Sequence, residues 1–141
     1  MYVVDASVVV KWVLHGEQEE ENALKLKSDH VSGVAPLFAP SFLVSEVGNS
    51  LWKAVRQKRL IQESAHEALE TLRNLNIVLH ELSWSEISSV LKIAGETGLT
   101  VYDASYLYVS KQINAQIITA DDKMYQKSKG RYNIMLLKDY L

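Results

Sequence analysis

Tyr2-Val3-Val4-Asp5-Ala6-Ser7 is a short β-favouring run that stops at a carboxylate and gives way to the apolar stretch Val8 to Leu14. Ile117-Ile118-Thr119-Ala120-Asp121 repeats the form far along the chain. Apolar runs of this length suit strands covered on both faces, as in parallel sheets. Leu37-Phe38-Ala39 between two prolines, Ile77-Val78-Leu79, and Ile134-Met135-Leu136-Leu137 behind a polar stretch containing Gly130 read as further strands. Helical spacing intervenes from the acidic run Glu17 to Glu21 as far as about Lys27. It returns from Ser41 to Arg59, through Phe42, Val44, Leu51, Trp52 and Val55, and from Gln62 to Leu75, through Ala65, Leu69 and Leu72. Trp84, Ile87, Leu91 and Ala94 predict another helix that Gly95 and Gly98 break, and a last one opens near Asp103 and reaches Ile113. Val8 to Leu14 fits strand or helix equally well. Repeated strand-then-helix alternation predicts a single α/β domain spanning 1–141, a parallel sheet inside an α/β/α sandwich.

The 141 residues are 48% hydrophobic, enough for one core without staples. No cysteine is present, which excludes disulfides, thiolate metal sites and cysteine nucleophiles. The first residues lack a signal peptide's basic flank and long apolar core, and no apolar run is long enough to span a bilayer, so the expectation is a soluble, cytoplasmic protein with no membrane role. A net charge of −2 argues against a generally basic, phosphate-binding surface, so any nucleic-acid contact is local. Lys53, Arg56, Lys58 and Arg59 cluster at one predicted helix end, where they also read as cations complementing the helix dipole.

In open parallel sheets ligands bind beyond the carboxyl ends of the strands. Asp5 and Asp121 each follow a strand run, and so project from one edge of the sheet. Asp103 opens a helix, and both Asp103 and Asp121 also suit the ordinary role of helix N-cap. Asp5 interrupts a strongly apolar run at a position expected to be partly buried, and is harder to explain in that way. Glu46 lies within a helix among Val44, Val47 and Leu51, with Asn49 on its face; the pair also reads as a polar stripe. Four carboxylates meeting in one pocket repel, each pair about 4 Å apart costing about 4 kcal/mol at an effective dielectric near 20. Proton uptake or divalent cations must offset this, and all-oxygen ligation with several waters suits Mg²⁺ or Mn²⁺. His15, His30, His66 and His80 are too scattered to bind zinc, no glycine-rich phosphate loop exists, and Ser7 lacks a histidine to activate it.

Val4-Asp5-Ala6-Ser7, Glu46-Val47-Gly48-Asn49, Tyr102-Asp103-Ala104-Ser105-Tyr106 and Thr119-Ala120-Asp121 together resemble, in order, the four motifs of the PIN-domain family, most closely the VapC-like toxins of toxin-antitoxin pairs. The resemblance covers essentially the whole chain. It implies a doubly wound parallel sheet and a ribonuclease that cuts RNA internally with Mg²⁺ or Mn²⁺, leaving a 5′-phosphate and a 3′-hydroxyl. Carried over, Asp5 and Asp103 are the principal metal ligands, with Glu46 and Asp121 completing the site directly or through water. Ser7, Asn49 and Thr119 match the accompanying polar positions. Asp122 departs from the motif by placing a second acid beside Asp121, and a turn decides which faces the pocket. Lys11, Lys53 and Arg56 are the candidate phosphate contacts. The resemblance further implies an antitoxin partner and a homodimer. A phosphoryl-receiver domain fits poorly, because it needs paired acids after its first strand; a PIN fold without catalysis, serving as an RNA-binding or interaction module, and an RNA-processing nuclease outside a toxin pair are the alternatives.

Overall fold

The computed structural model describes residues 1–141. Five strands, Tyr2–Val4 (β1), Leu37–Pro40 (β2), Val78–His80 (β3), Gln116–Thr119 (β4) and Ile134–Leu136 (β5), form one sheet in the order β3-β2-β1-β4-β5. Every pairing is parallel. The central strands carry the most thoroughly buried side chains, with Val3, Val4, Leu37, Ala39, Ile117 and Ile118 wholly removed from solvent. That explains their uninterrupted apolar sequence: both faces of a parallel sheet are covered. At the edge, β3 leaves Val78 and Leu79 largely exposed.

The connections contain Ala6–Val9 (α1), which continues into a 3-10 turn at Val10–Trp12, Glu20–Val31 (α2), Leu43–Arg56 (α3), Gln62–Arg73 (α4), Trp84–Thr97 (α5), Val101–Ile113 (α6) and Asp122–Ser128 (α7). From β1 the chain steps outward through β2 to β3, then returns across the sheet to β4 and β5. Right-handed crossovers therefore put α1 to α4 on one face and α5 to α7 on the other. The direction of winding reverses between β1 and β4, the place where open parallel sheets form a crevice beyond the carboxyl ends of their strands.

Val8 to Leu14, open between strand and helix in the sequence, is helical as far as Trp12, with Val8 and Val9 packing into the core from α1. Other expectations are corrected in detail. The helix expected from Glu17 starts at Glu20, after Glu19 adopts a left-handed backbone with φ of 61°, and runs on to Val31. Gly95 lies inside α5, whose end comes at Gly98, where φ is 73° and a residue without Cβ is favoured. The inward stripe of that helix is Val90 and Ile93, while Leu91 faces solvent. The last strand stops at Leu136, and Leu137 opens a 3-10 turn.

Candidate active site at the switch point

Asp5 follows β1 directly and is 6% exposed. Its Oδ1 accepts a hydrogen bond from the Ser7 hydroxyl and its Oδ2 one from the Thr119 hydroxyl. Each hydroxyl has a single proton, so both are donors to Asp5, and their lone pairs serve the backbone. Ala120 N–H donates to Ser7 Oγ at 2.9 Å and Asp121 N–H to Thr119 Oγ1 at 3.1 Å. The carboxylate is thus clamped to the β4 terminus through two hydroxyls. Of its roughly four acceptor positions, about two stay free.

Glu46 occupies the first turn of α3, half-buried, and its Oε1 accepts a 2.6 Å hydrogen bond from the Tyr106 hydroxyl of α6. Tyr106 is 1% exposed and its ring meets Phe42 edge-on at 5.4 Å. This bond joins helices from opposite faces of the sheet above the crevice. Asp103 does not cap α6: Thr100 does, its hydroxyl accepting from Asp103 N–H at 3.1 Å, which leaves the carboxylate of Asp103 free one turn before Tyr106. Asp121 does cap a helix, its Oδ1 accepting from Lys123 N–H at 2.9 Å and Met124 N–H at 3.2 Å, so only Oδ2 is left for the crevice. Asp122 is exposed in the first turn of α7, where its charge complements the helix dipole.

The electrostatics tie these acids together. Burial lifts Asp5 from 3.8 to about 6; the Ser7 and Thr119 bonds oppose the rise, and the charges of Asp103 and Asp121 add to it. Glu46 is raised by burial, opposed by the Tyr106 bond and reinforced by Asp103. Asp103 is raised by burial and then by Asp121, while Thr100, Lys123 and Lys127 pull it down. Burial and the neighbouring Glu46 push the Tyr106 phenol far up, so it remains a donor at any physiological pH. No three acidic or imidazole side chains lie close enough together to hold an ion between them. A strongly hydrated cation needs none: Mg²⁺ keeps several waters and takes one or two carboxylates. Hard oxygen donors with free lone pairs and mutual repulsion for a cation to relieve fit that chemistry.

A model of the family described as "PIN domain" matches residues 2–130. The chain belongs to the PIN-domain family. This PIN domain is 30% identical over 136 residues to "Exonuclease VapC9" of Pyrobaculum aerophilum, covering 96% of the chain and 92% of the relative. It is 29% identical to "Ribonuclease VapC3" of the same organism, covering 89% of the chain and 92% of the relative. Against "Ribonuclease VapC9" of Mycobacterium tuberculosis H37Rv it is 28% identical, with 97% and 98% covered. The crystal structure of PAE2754 from P. aerophilum superposes with a TM-score of 0.69 at 28% identity, over 97% of this chain and 90% of that one.

Within this PIN domain the structure brings Asp5, Ser7, Thr119, Asp103, Asp121 and Glu46 to one edge of the sheet, and separates others. Asn49 is exposed, and it is Tyr106, not Asn49, that holds the Glu46 carboxylate. Tyr106 was readable as part of the motif after Asp103 but not as a site residue, since its partner lies sixty positions away. Lys11 is buried and its Nζ donates to the Gln18 carbonyl at 2.8 Å, bracing the loop before α2. Lys53 and Arg56 are exposed on α3, Arg56 lying over the Trp52 ring at 5.9 Å. Arg59 of the same patch is paired with Glu17 at 3.0 Å. The cations whose charges reach Asp103, Lys123 and Lys127, come from α7, and Lys127 Nζ also donates to the Gly98 carbonyl at 3.2 Å.

Proposed function

We propose that this PIN domain is a ribonuclease dependent on Mg²⁺ or Mn²⁺ that cuts RNA internally, and that it is the toxin of a toxin-antitoxin pair. The observation that carries the reading is the clamped Asp5: a buried carboxylate, fixed by two hydroxyl donors at the β1/β4 switch point, with Asp103 and Asp121 close enough to raise its affinity for a proton. Such an arrangement stores repulsion that a divalent cation relieves. Asp5 and Asp103 would hold the cation, with Glu46 and Asp121 completing the shell directly or through water. A bound divalent cation supplies Lewis-acid polarisation of the phosphoryl group and acidification of a water molecule.

The chain's own residues do the rest. The Ser7 and Thr119 hydroxyls stop Asp5 rotating, so its free lone pairs point one way. Tyr106 occupies Glu46 Oε1 and leaves Oε2 for the crevice. Water attacks phosphorus, the bond from phosphorus to the 3′-oxygen breaks, and the products carry a 5′-phosphate and a 3′-hydroxyl. Relatives carry the names "Exonuclease" and "Ribonuclease" alike, so the mode of cutting is part of the test. A cognate antitoxin and a second copy of the chain are the proposed protein partners. A reducing cytoplasm is the proposed setting, in keeping with the lack of cysteine; no helix is long and apolar enough to cross a membrane.

The deciding experiment incubates purified protein with linear and circular RNA in Mg²⁺, Mn²⁺ or EDTA, alongside Asp5→Asn. Metal-dependent opening of the circle, lost in the variant, supports internal cutting. Degradation of linear RNA alone replaces it with an exonuclease. Cleavage of neither, under any metal, refutes the enzyme and leaves an RNA-binding or interaction module.

A further inference from the structure

A helix that leads into a parallel strand runs antiparallel to it, so α6 begins where the strands end, at the rim of the crevice. Tyr102 and Tyr106 are four residues apart on that helix and share a face. Phe42, at the entrance to α3, touches both rings edge-to-face, at 5.6 Å and 69° for Tyr102 and at 5.4 Å and 77° for Tyr106. The three rings make a ladder. Its inner rung, Tyr106, is sealed and holds Glu46. Its outer rung, Tyr102, is 63% exposed although it adjoins Asp103 and is fixed in place by Phe42. An edge-to-face contact occupies at most one face of the Tyr102 ring, so a rigid π surface remains open beside the carboxylates.

The charge balance gives that surface a use. A site built on four acids in a chain of net charge −2 attracts phosphates weakly, and the cations Lys123 and Lys127 already offset Asp103. Stacking of a base on an aromatic ring is indifferent to net charge and tolerant of sequence. Bases in a duplex are already stacked, so only an unpaired strand offers a free face.

We propose that Tyr102 is a nucleobase platform for single-stranded RNA, seating one base against its ring so that the adjoining phosphodiester lies over Asp103 and Asp5. This rests on the ribonuclease reading and adds the subsite that orients its substrate. The platform is tested with a short unpaired RNA carrying 2-aminopurine, whose fluorescence falls on stacking, titrated in EDTA with the parent protein, Tyr102→Phe and Tyr102→Ala, and followed by steady-state cleavage in Mg²⁺. Loss of one stacked base corresponds to about 5- to 150-fold in affinity. Tyr102→Ala is expected to weaken quenching and raise KM by that factor while kcat stays within about 2-fold, and Tyr102→Phe to match the parent. Unchanged binding and KM in Tyr102→Ala, or Tyr102→Phe as defective as Tyr102→Ala, overturns the platform. If the parent binds and quenches but never cleaves, the nuclease reading fails and the platform stands; if the parent binds no RNA, the platform fails, and the nuclease reading fails with it only where Mg²⁺ also brings no cleavage.

Discussion

Replacing Asp5 with Asn should stabilise the metal-free protein at neutral pH even as it removes activity. Lifting the carboxyl from 3.8 to about 6 costs the folded state about 3 kcal/mol at pH 7. The penalty is absent below about pH 3.8, where the acid is protonated in both folded and unfolded chains. It grows as pH climbs toward 6, because the unfolded chain ionises first, and is complete above that. With Asp5 almost entirely buried, solvent gives little relief. Asn removes the charge but presents an amide to two hydroxyls that both donate, so one hydrogen bond is lost, worth about 1 kcal/mol. The metal-free variant should therefore gain about 2 kcal/mol at pH 8, lose about 1 kcal/mol at pH 3.5, and cross over near pH 4.5. Urea denaturation in EDTA across that range, with equal slopes confirming an unchanged fold, reads the difference directly. A variant less stable than the parent at pH 8, or a difference that ignores pH, would refute the claim that Asp5 is a buried, strained charge. Added Mg²⁺ should then raise the parent's stability more than the variant's, since only a ligand that prefers the folded state stabilises it.

Thr119→Val keeps the shape of a fully buried side chain but leaves Asp5 Oδ2 and the Asp121 N–H without their partner; a loss of about 2 to 4 kcal/mol is expected by urea denaturation at pH 7. Tyr106→Phe deletes the bond to Glu46 Oε1 and should cost about 1 to 2 kcal/mol in stability, together with weaker Mn²⁺ binding by calorimetry; unchanged binding would separate Glu46 from the metal. Ser83→Ala breaks the capping box in which Ser83 Oγ accepts from Glu86 N–H and the Glu86 carboxylate accepts from Ser83 N–H. It should lower stability by about 1 kcal/mol and leave RNA cleavage at the parental rate, since α5 contributes no acid to the crevice.

The strands were legible because a parallel sheet covered on both faces demands continuous apolar runs, and β1 and β4 supply them beside their terminal acids. Helix α4 was legible from its amphipathic stripe. The amino-terminal Val8 to Leu14 was not, since a buried short helix and a buried strand are both apolar throughout. In α5 the spacing picks out Ala94, which packs against the core, but chooses Leu91 where Val90 and Ile93 face inward; both registers carry apolar residues, and only the neighbouring helix selects between them.

The candidate site divides in the same way. Sequence alone determined which residues have the chemistry: a lone acid after β1, acids opening two later helices, a glutamate within α3, and no thiolate, histidine cluster or phosphate loop to compete with them. These facts are local, set by residue type and by the strand-then-helix order. Tertiary structure decided what each carboxylate does. It assigned the cap of α6 to Thr100 and so freed Asp103, made Asp121 both cap and neighbour, turned Lys11 to a carbonyl, and set Tyr106 on Glu46 across sixty residues of chain. A hydrogen bond acts over about 3 Å, yet Glu46 and Tyr106 come from helices on opposite faces of the sheet; only the reversal of winding between β1 and β4 brings them within reach.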